Sequence, residues 1–320
     1  MTSDTNPSAP ALSAVIPVFN EQEVLPELHR RLVAALEGIG RGYEIIYVDD
    51  GSTDGTFPYL ASLHAADPRV RVISFSRNFG HQTSISAGIR YARGDGVFVM
   101  DGDLQDPPEL LPEFYGKWRE GYSVVYGIRT RRKEHLLKRA AYSFFYKLLH
   151  KISYLDIPID SGDFSIIDRS VVDILKMMPE RNRFVRGLRT WIGFRQVGIP
   201  YERAARAAGT PKYTFAKLLR LAYDGLITFS FYPLQLSTKL GFFFSFLAML
   251  GAVMIVFLKI TQGFIPQGWA STIVVLLFIS ALQFFILGIF GEYLGRIFEE
   301  VKGRPPFVAR AMLGIREEKE

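Results

Sequence analysis

The first 130 residues alternate short apolar runs with longer amphipathic stretches. Residues 14–18, 44–48, 70–75, 96–100 and 123–126 are rich in β-branched and aromatic side chains, which predicts five strands. Between them, residues 21–37, 54–66, 81–92 and 108–120 repeat apolar positions at helical spacing. Strands alternating with helices predict an α/β domain with a mostly parallel sheet covered on both faces. Open sheets of this kind bind ligands beyond the carboxyl ends of their strands. Three polar clusters fall there: Pro17-Val-Phe-Asn-Glu21, Asp49-Asp-Gly-Ser-Thr-Asp54 and Asp101-Gly-Asp103.

The pattern changes in the last third. Residues 240–258 run for 19 positions without a charge and residues 269–290 for 22, where roughly 20 apolar residues cross a hydrocarbon core as a helix. A short Gly- and Pro-containing turn separates them, which predicts a transmembrane hairpin. Lys239 precedes the pair and Arg296, Lys302 and Arg304 follow it, against Lys259 between. This bias places both ends in the cytoplasm, and with them the α/β domain of a multi-pass inner (cytoplasmic) membrane protein. Gln283, inside the second run, is costly against lipid and is expected to face a neighbouring helix. Self-association into a homo-oligomer would also shelter it.

Two further stretches, about 135–152 and 211–232, interleave Lys and Arg with apolar residues at helical spacing. They read as interfacial amphipathic helices at a membrane surface. Residues 1–11 are polar, carry no apolar core of a signal peptide, and read as disordered. The resulting division is a cytoplasmic α/β domain over 12–210, the second interfacial helix over 211–232, a hairpin over 233–295 (spans about 234–258 and 269–291), and a cytoplasmic tail over 296–320.

Composition narrows the chemistry. The chain has no Cys, so it has neither a disulfide framework nor a thiolate metal site. A formal charge of +6 calls for an anionic partner such as a nucleotide, a lipid phosphate or a membrane surface. Nucleic acid is not expected, because no signature of DNA or RNA binding is present. The absence of a Gly-x-Gly-x-x-Gly or P-loop lysine sequence argues against a dinucleotide oxidoreductase or P-loop nucleotidase.

Asp101 and Asp103 stand one residue apart at the end of an apolar run. Positions i and i+2 of an extended strand project to one side, so the two could converge on Mg²⁺ or Mn²⁺. Such cations take their remaining ligands from water and phosphate oxygens, which points to diphosphate chemistry. A solvated turn is the alternative reading. Asp50-Gly-Ser-Thr-Asp54 also reads as a turn with a helix cap, compatible with binding by Asp49 or Asp50. His29, His64, His81, His135 and His150 show no metal-ligand spacing, and His81 is assigned no chemical role.

Val15-Ile-Pro-Val-Phe-Asn-Glu21, Val48-Asp-Asp-Gly-Ser-Thr-Asp-Gly55, Ser76-Arg-Asn-Phe-Gly-His-Gln82 and Asp101-Gly-Asp-Leu-Gln-Asp-Pro-Pro108 together resemble the family 2 inverting glycosyltransferases of GT-A fold. With Glu292-Tyr-Leu-Gly-Arg-Ile297 and the two-span tail, the chain is most similar to the polyprenyl-phosphate subgroup. That subgroup includes bactoprenol glucosyltransferases, the aminoarabinose undecaprenyl-phosphate transferase and dolichyl-phosphate mannose synthase. The resemblance implies transfer of a sugar from a nucleotide diphosphate to a lipid phosphate. It implies that Pro17, Phe19 and Glu21 line the base and ribose and that Asp49 or Asp50 accepts from the base edge. Arg77 approaches the nucleotide, Asp103 ligates the metal with Asp101 and Gln105 as further candidates, and Asp163 lies near the reaction centre. Arg129, Arg139, Ser143, Arg206 and Lys212 match positions that hold the acceptor phosphate. Pro211 stands where the family more often has Ser.

The resemblance favours UDP-glucose as donor, ahead of a UDP-linked aminoarabinose and then GDP-mannose. Two other readings compete. A processive polysaccharide synthase would carry Gln-x-x-Arg-Trp and more spans, where this chain has Arg186-Gly-Leu-Arg-Thr-Trp191 and two. A membrane-anchored nucleotide-sugar-binding scaffold would not need Asp101, Asp103 and Asp163 together.

Overall fold

The structure, a computed structural model, describes residues 10–129, 161–181, 183–202, 232–262 and 268–315. Both predicted interfacial helices, except Tyr232 at the end of the second, lie outside the described residues. So do Arg139, Ser143, Arg206, Lys212 and residues 1–9. Two compact units are present: one built from the first two thirds of the chain together with residues 304–320, the other containing the two long apolar helices.

In the first unit, β1 (Leu12–Val18), β2 (Tyr43–Asp49), β3 (Val70–Phe75) and β4 (Gly96–Val99) are joined by α1 (Leu25–Ile39), α2 (Thr56–Ala66) and α3 (His81–Tyr91). After β4 come a 3₁₀ turn (Pro108–Leu110), α4 (Leu111–Arg119), β5 (Val124–Arg129), β6 (Ser161–Asp168), α5 (Arg169–Met177), α6 (Val185–Trp191) and β7 (Gln196–Tyr201). The sheet order is β7-β5-β6-β4-β1-β2-β3-β8, with β8 at Ala309–Leu313. β6 and β8 run antiparallel to their neighbours; every other pairing is parallel.

Strands β1 to β4 are buried along their whole length, as near-continuous apolar strands of a covered parallel sheet must be. Alternate side chains divide between two cores. Leu12, Ala14 and Ile16 pack with the Leu25, Leu28, Leu32 and Leu36 stripe of α1, whereas Val15, Ile46 and Ile73 pack with Ile85 and Ile89 of α3. α1 closes at Gly40, which adopts the left-handed conformation (φ 69°) that favours glycine at a helix end.

Strand order reverses at β1, with β2 and β3 on one side and β4 on the other. That switch point opens a crevice at the carboxyl ends of β1 and β4. The antiparallel β6 enters there, pairing Val99 with Ser165, and Asp101 and Asp163 flank the His81 ring at 3.3 and 3.6 Å.

Three differences from the sequence reading stand out. The chain beyond 296 is not a simple tail. Its helix continues to Val301, and β8 then pairs with β3 (Val72↔Leu313, Ser74↔Ala311), which makes the catalytic unit discontinuous in sequence. Strand β4 ends at Val99, so Asp101 and Asp103 do not alternate on an extended strand; Gly102 and Asp103 form a turn and Leu104 has a φ of 57°. β6, β7 and β8 had no counterpart among the predicted strands.

The second unit holds α7 (Tyr232–Gln262) and α8 (Trp269–Val301). Both are long and apolar enough to cross a membrane. Their windows at Leu234–Gly251 and Val274–Val301 have mean hydropathies of 1.3 and 2.5 and are 6% and 0% buried, unlike core helices of a water-soluble protein. The rings of Phe244 and Phe278 meet edge-on at 5.5 Å between the two helices. Gln283 is exposed on the single chain.

Candidate active site

The loops after β1 and β2 are laced together. The backbone N–H of Asn20 donates to Ser52 Oγ (2.9 Å) and that of Glu21 to Thr56 Oγ1 (3.0 Å), while Thr53 N–H returns to Asn20 Oδ1 (2.9 Å). Asn20 holds a positive φ of 55°, a conformation Asn tolerates better than most residues. Asp54 accepts from Thr56 N–H at 3.0 Å and from Gln22 N–H at 3.4 Å, so it ties the turn to the start of α2.

Within this frame Phe19 is exposed (39%) and Glu21 half-buried, whereas Pro17 is buried inside β1 and does not line an open surface. Asp49 is fully buried. Its oxygens accept from Ser52 N–H (2.9 Å) and Ser74 Oγ (2.7 Å), and Arg310 of β8 approaches to 3.7 Å. Asp50 is also buried and accepts from the backbone N–H groups of Phe79 (2.7 Å) and Gly80 (3.0 Å); burial pushes its carboxyl up. Both carboxylates therefore shape the loops after β2 and β3 here, rather than standing open to a base edge. Gly51 is required between them: its φ is 72°, and a Cβ would lie 2.4 Å from the Arg77 backbone. Arg77 is exposed, lies 4.0 Å over the Phe79 ring and donates to Asn78 O, within its own loop.

Across the crevice, Asp101, Asp103 and Gln105 occupy the turn after β4. Gly102 lets this turn lie flat on β1, since a Cβ would sit 2.7 Å from Val18 Cγ1 and 2.9 Å from the Pro17 carbonyl oxygen. Asp103 Oδ1 accepts from Gln105 N–H at 3.2 Å. Among the described residues no group of three His, Asp or Glu side chains forms a cage for a metal ion.

The reacting end is organised around Asp163. Its side chain is 9% exposed, and Oδ2 accepts from Gln82 Nε2 at 2.9 Å, with His81 Nε2 and Arg186 Nη2 both at 3.6 Å. Among the described residues Oδ1, although buried, has no hydrogen-bond partner. Burial alone would raise the Asp163 pKa, but the nearby His81 imidazolium and the charges of Arg186 and Arg189 hold it well below the usual carboxylate range. His81 also lies 3.3 Å from Asp101 Oδ1. Although burial opposes its charge, the two carboxylates push its pKa up to about 10, so it stands as an imidazolium between them.

Arg189 is buried beneath the site, donates to Gly162 O (3.2 Å) and lies 5.1 Å from the Tyr126 ring centre; burial pushes it down to about 10. Arg129 donates to Tyr201 OH (3.4 Å), which donates to the buried Asp106 (2.5 Å). A Cβ on Gly162 would lie 3.1 Å from Arg129 Nη2, which places this guanidinium beside Asp163's chain neighbour.

The structure thus gathers Asp101, Asp163 and Arg129 at the switch point. It adds His81, Gln82, Arg186 and Arg189, to which the sequence reading gave no role. Ser76-Arg-Asn-Phe-Gly-His-Gln82 follows a parallel strand end as the other polar clusters do, and that placement was the available signal for the first two.

Residues 13–175 match the profile of the family described as glycosyl transferase family 2. The chain is 44% identical over 304 residues to the "Uncharacterized glycosyltransferase YkcC" of Bacillus subtilis, covering 95% of this chain and 94% of that protein. It is 37% identical over 300 residues to the "SfII prophage-derived bactoprenol glucosyl transferase" of Shigella flexneri, covering 93% and 97%. Among solved structures, a mannosyltransferase from Pyrobaculum calidifontis in complex with GDP-Man and Mn²⁺ is 17% identical, covers 68% of this chain and 62% of its own, and gives a TM-score of 0.45. The chain belongs to glycosyl transferase family 2 and is a glycosyltransferase with that family's α/β GT-A architecture.

Proposed function

We propose that the protein is an inverting, metal-dependent glycosyltransferase that moves one glucosyl unit from UDP-glucose to undecaprenyl phosphate at the cytoplasmic face of the inner membrane. The observation that carries the reading is the buried, ionised Asp163 with one oxygen uncommitted, at the switch point where α/β sheets bind ligands. The bactoprenol glucosyl transferase relatives match over 93% of the chain, a length that takes in α7 and α8. This supports a lipid acceptor and a membrane-spanning role for the two helices.

A phosphate monoester has a second pKa near ~6 and is mostly dianionic at neutral pH. Its oxygen can therefore attack the anomeric carbon without first losing a proton. The bond to the nucleotide diphosphate breaks as the new C–O bond forms on the opposite face, which inverts the configuration. A carboxylate held as low as Asp163 is a weak base. Its part is to orient the acceptor and to stabilise positive charge developing at the anomeric carbon. Arg129, beside Gly162, supplies a planar fork for the acceptor phosphate. Arg139, Ser143, Arg206 and Lys212 are proposed to complete that subsite, and Phe19 and Glu21 to bound the nucleotide.

Asp103 and Asp101, with Gln105, would hold Mg²⁺ or Mn²⁺. An oxygen-only set of this size on a turn suits a hard cation that takes its other ligands from water and diphosphate. When bound, the ion supplies Lewis-acid neutralisation of the leaving diphosphate.

The test is release of UDP from UDP-glucose by the full chain in detergent, with undecaprenyl phosphate and Mg²⁺ or Mn²⁺ each omitted in turn. Release that requires both additions is expected, with UDP-linked aminoarabinose and GDP-mannose turned over more slowly. A non-catalytic scaffold predicts no release under any condition, and a processive synthase predicts several sugars per acceptor.

A further inference from the structure

We infer that Gln82 is a positioning residue for transfer: it captures one oxygen of Asp163 and thereby presents the other, Oδ1, to the reacting sugar. This rests on the reading of Asp163 given above.

Gln82 is held at both ends. Its Oε1 accepts from the backbone N–H of Val185 at 3.0 Å, and its Nε2 donates to Asp163 Oδ2 at 2.9 Å. The Val185 amide is the first N–H of α6, one of the donors a helix leaves without an internal partner. Because that donor demands an acceptor, the amide oxygen must face α6 and the NH₂ must face Asp163. The flipped amide would set N–H against N–H and oxygen against carboxylate, so the orientation has a single solution.

The charged groups around Asp163 do a different job. His81 from α3 and Arg186 and Arg189 from α6 face it, and Asp101 from the turn after β4 lies on the other side of His81. The His81 and Arg186 nitrogens stand at 3.6 Å, an ion-pair distance that favours the carboxylate's charge but constrains its rotation weakly. The 2.9 Å contact from neutral Gln82 adds little charge and fixes direction. With Oδ2 engaged on that side, Oδ1 is the oxygen left for substrate, consistent with its being buried without a hydrogen-bond partner among the described residues.

The experiment uses the purified full chain and compares Gln82→Met, which keeps length but has no donor or acceptor, with Gln82→Glu. Gln82→Met is expected to lower kcat about tenfold to a hundredfold, the cost of losing a hydrogen bond to a charged group. The KM for UDP-glucose and the Kd for UDP should stay within about twofold, because the nucleotide loops do not rely on this contact. Gln82→Glu keeps the acceptor for the Val185 N–H but sets a second carboxyl against Asp163 Oδ2, and it should also lose kcat. Should Gln82→Met fail to fold, Gln82→Leu, which likewise has no donor, carries the same test. Wild-type kcat in a folded variant without the donor would overturn the inference. Asp163→Asn separates the two ideas: if it is inactive while Gln82→Met is not, only the role of Gln82 fails. If Asp163→Asn turns over normally, the reading of Asp163 fails and the inference with it.

Discussion

Two buried carboxylates lie at opposite ends of the same sheet, each among arginines. At the amino end, Glu44 of β2 is 1% exposed, and both of its oxygens are engaged: Oε1 by Ser13 Oγ (2.7 Å) and Arg93 N–H (2.8 Å), Oε2 by Arg71 (2.7 Å) and Arg93 Nε (2.9 Å). Arg71 in turn donates to Tyr91 O and to Gly314 O just beyond β8, so the cluster ties the returning C-terminal strand to the sheet. At the carboxyl end, Asp163 has comparable burial and charge around it, yet one oxygen is left without a partner among the described residues. A closed network of this type supports the fold. One with an open valence, at the position where ligands enter a parallel sheet, is suited to chemistry.

The largest effect that tests this contrast is on turnover. Asp163→Asn keeps the shape of the side chain and removes the charge, so kcat is expected to fall about 10²- to 10³-fold. The thermal unfolding midpoint should fall as well, because a carboxylate whose folded-state pKa is depressed stabilises the protein at neutral pH and its loss leaves the buried Arg189 without that counter-charge. Steady-state UDP release and a melting curve on the same preparation check both halves.

At the other end turnover should be spared. Glu44→Gln leaves the buried Arg71 without its counter-charge, which costs about 3–5 kcal/mol when a buried pair loses one partner. The kcat of the protein that remains folded should be unchanged. Denaturant titration against activity measured well below the transition separates the two quantities. A matching loss of kcat would show that the two ends are not independent.

The same pair gives a pH dependence. Burial would raise the Glu44 pKa, but Ser13, Arg71 and Arg93 bring it below its ordinary value of 4.5. A depressed folded-state pKa stabilises the protein above the unfolded value, and that contribution is lost as pH falls through the folded one. Wild type and Glu44→Gln should therefore differ in stability most above about pH 5 and converge in acid.

How much of this was legible in sequence follows from what each element depends on. The runs predicting β1 to β5 and the stripes predicting α1 to α4 are set by local periodicity, and the structure moves their ends by a few residues. β6 escaped because Ser161-Gly-Asp-Phe alternates weakly and its strand character comes from pairing on both sides with β4 and β5. β8 escaped because five residues after a long apolar helix carry no signal until β3 offers an edge. In the site, a residue type at a strand end pointed to Asp101, whereas Asp163 came only from the family resemblance, because the strand that carries it was not predicted. Three-dimensional closure decided that Pro17 and Asp49 are enclosed, and that His81 and Gln82 reach Asp163 on β6 from the start of α3.

The smallest effect concerns Arg93, and it separates contact from contribution. Arg93 approaches Glu44 as closely as Arg71 does, at 2.8 Å against 2.7 Å. Its side chain is 58% exposed, whereas that of Arg71 is 6% exposed. Water screens the exposed pair, and ordering a long side chain offsets much of what remains, so Arg93→Ala should cost less than about 1 kcal/mol. The backbone N–H of residue 93 still donates to Glu44 Oε1 in that variant, which keeps the carboxylate's second oxygen engaged. Arg71→Ala should cost several times more, because it leaves Glu44 buried beside a single screened charge. Chemical denaturation of the two variants beside wild type checks the ranking. Equal losses would mean that the cluster acts as one cooperative network, and that its two arginines cannot be ranked by exposure.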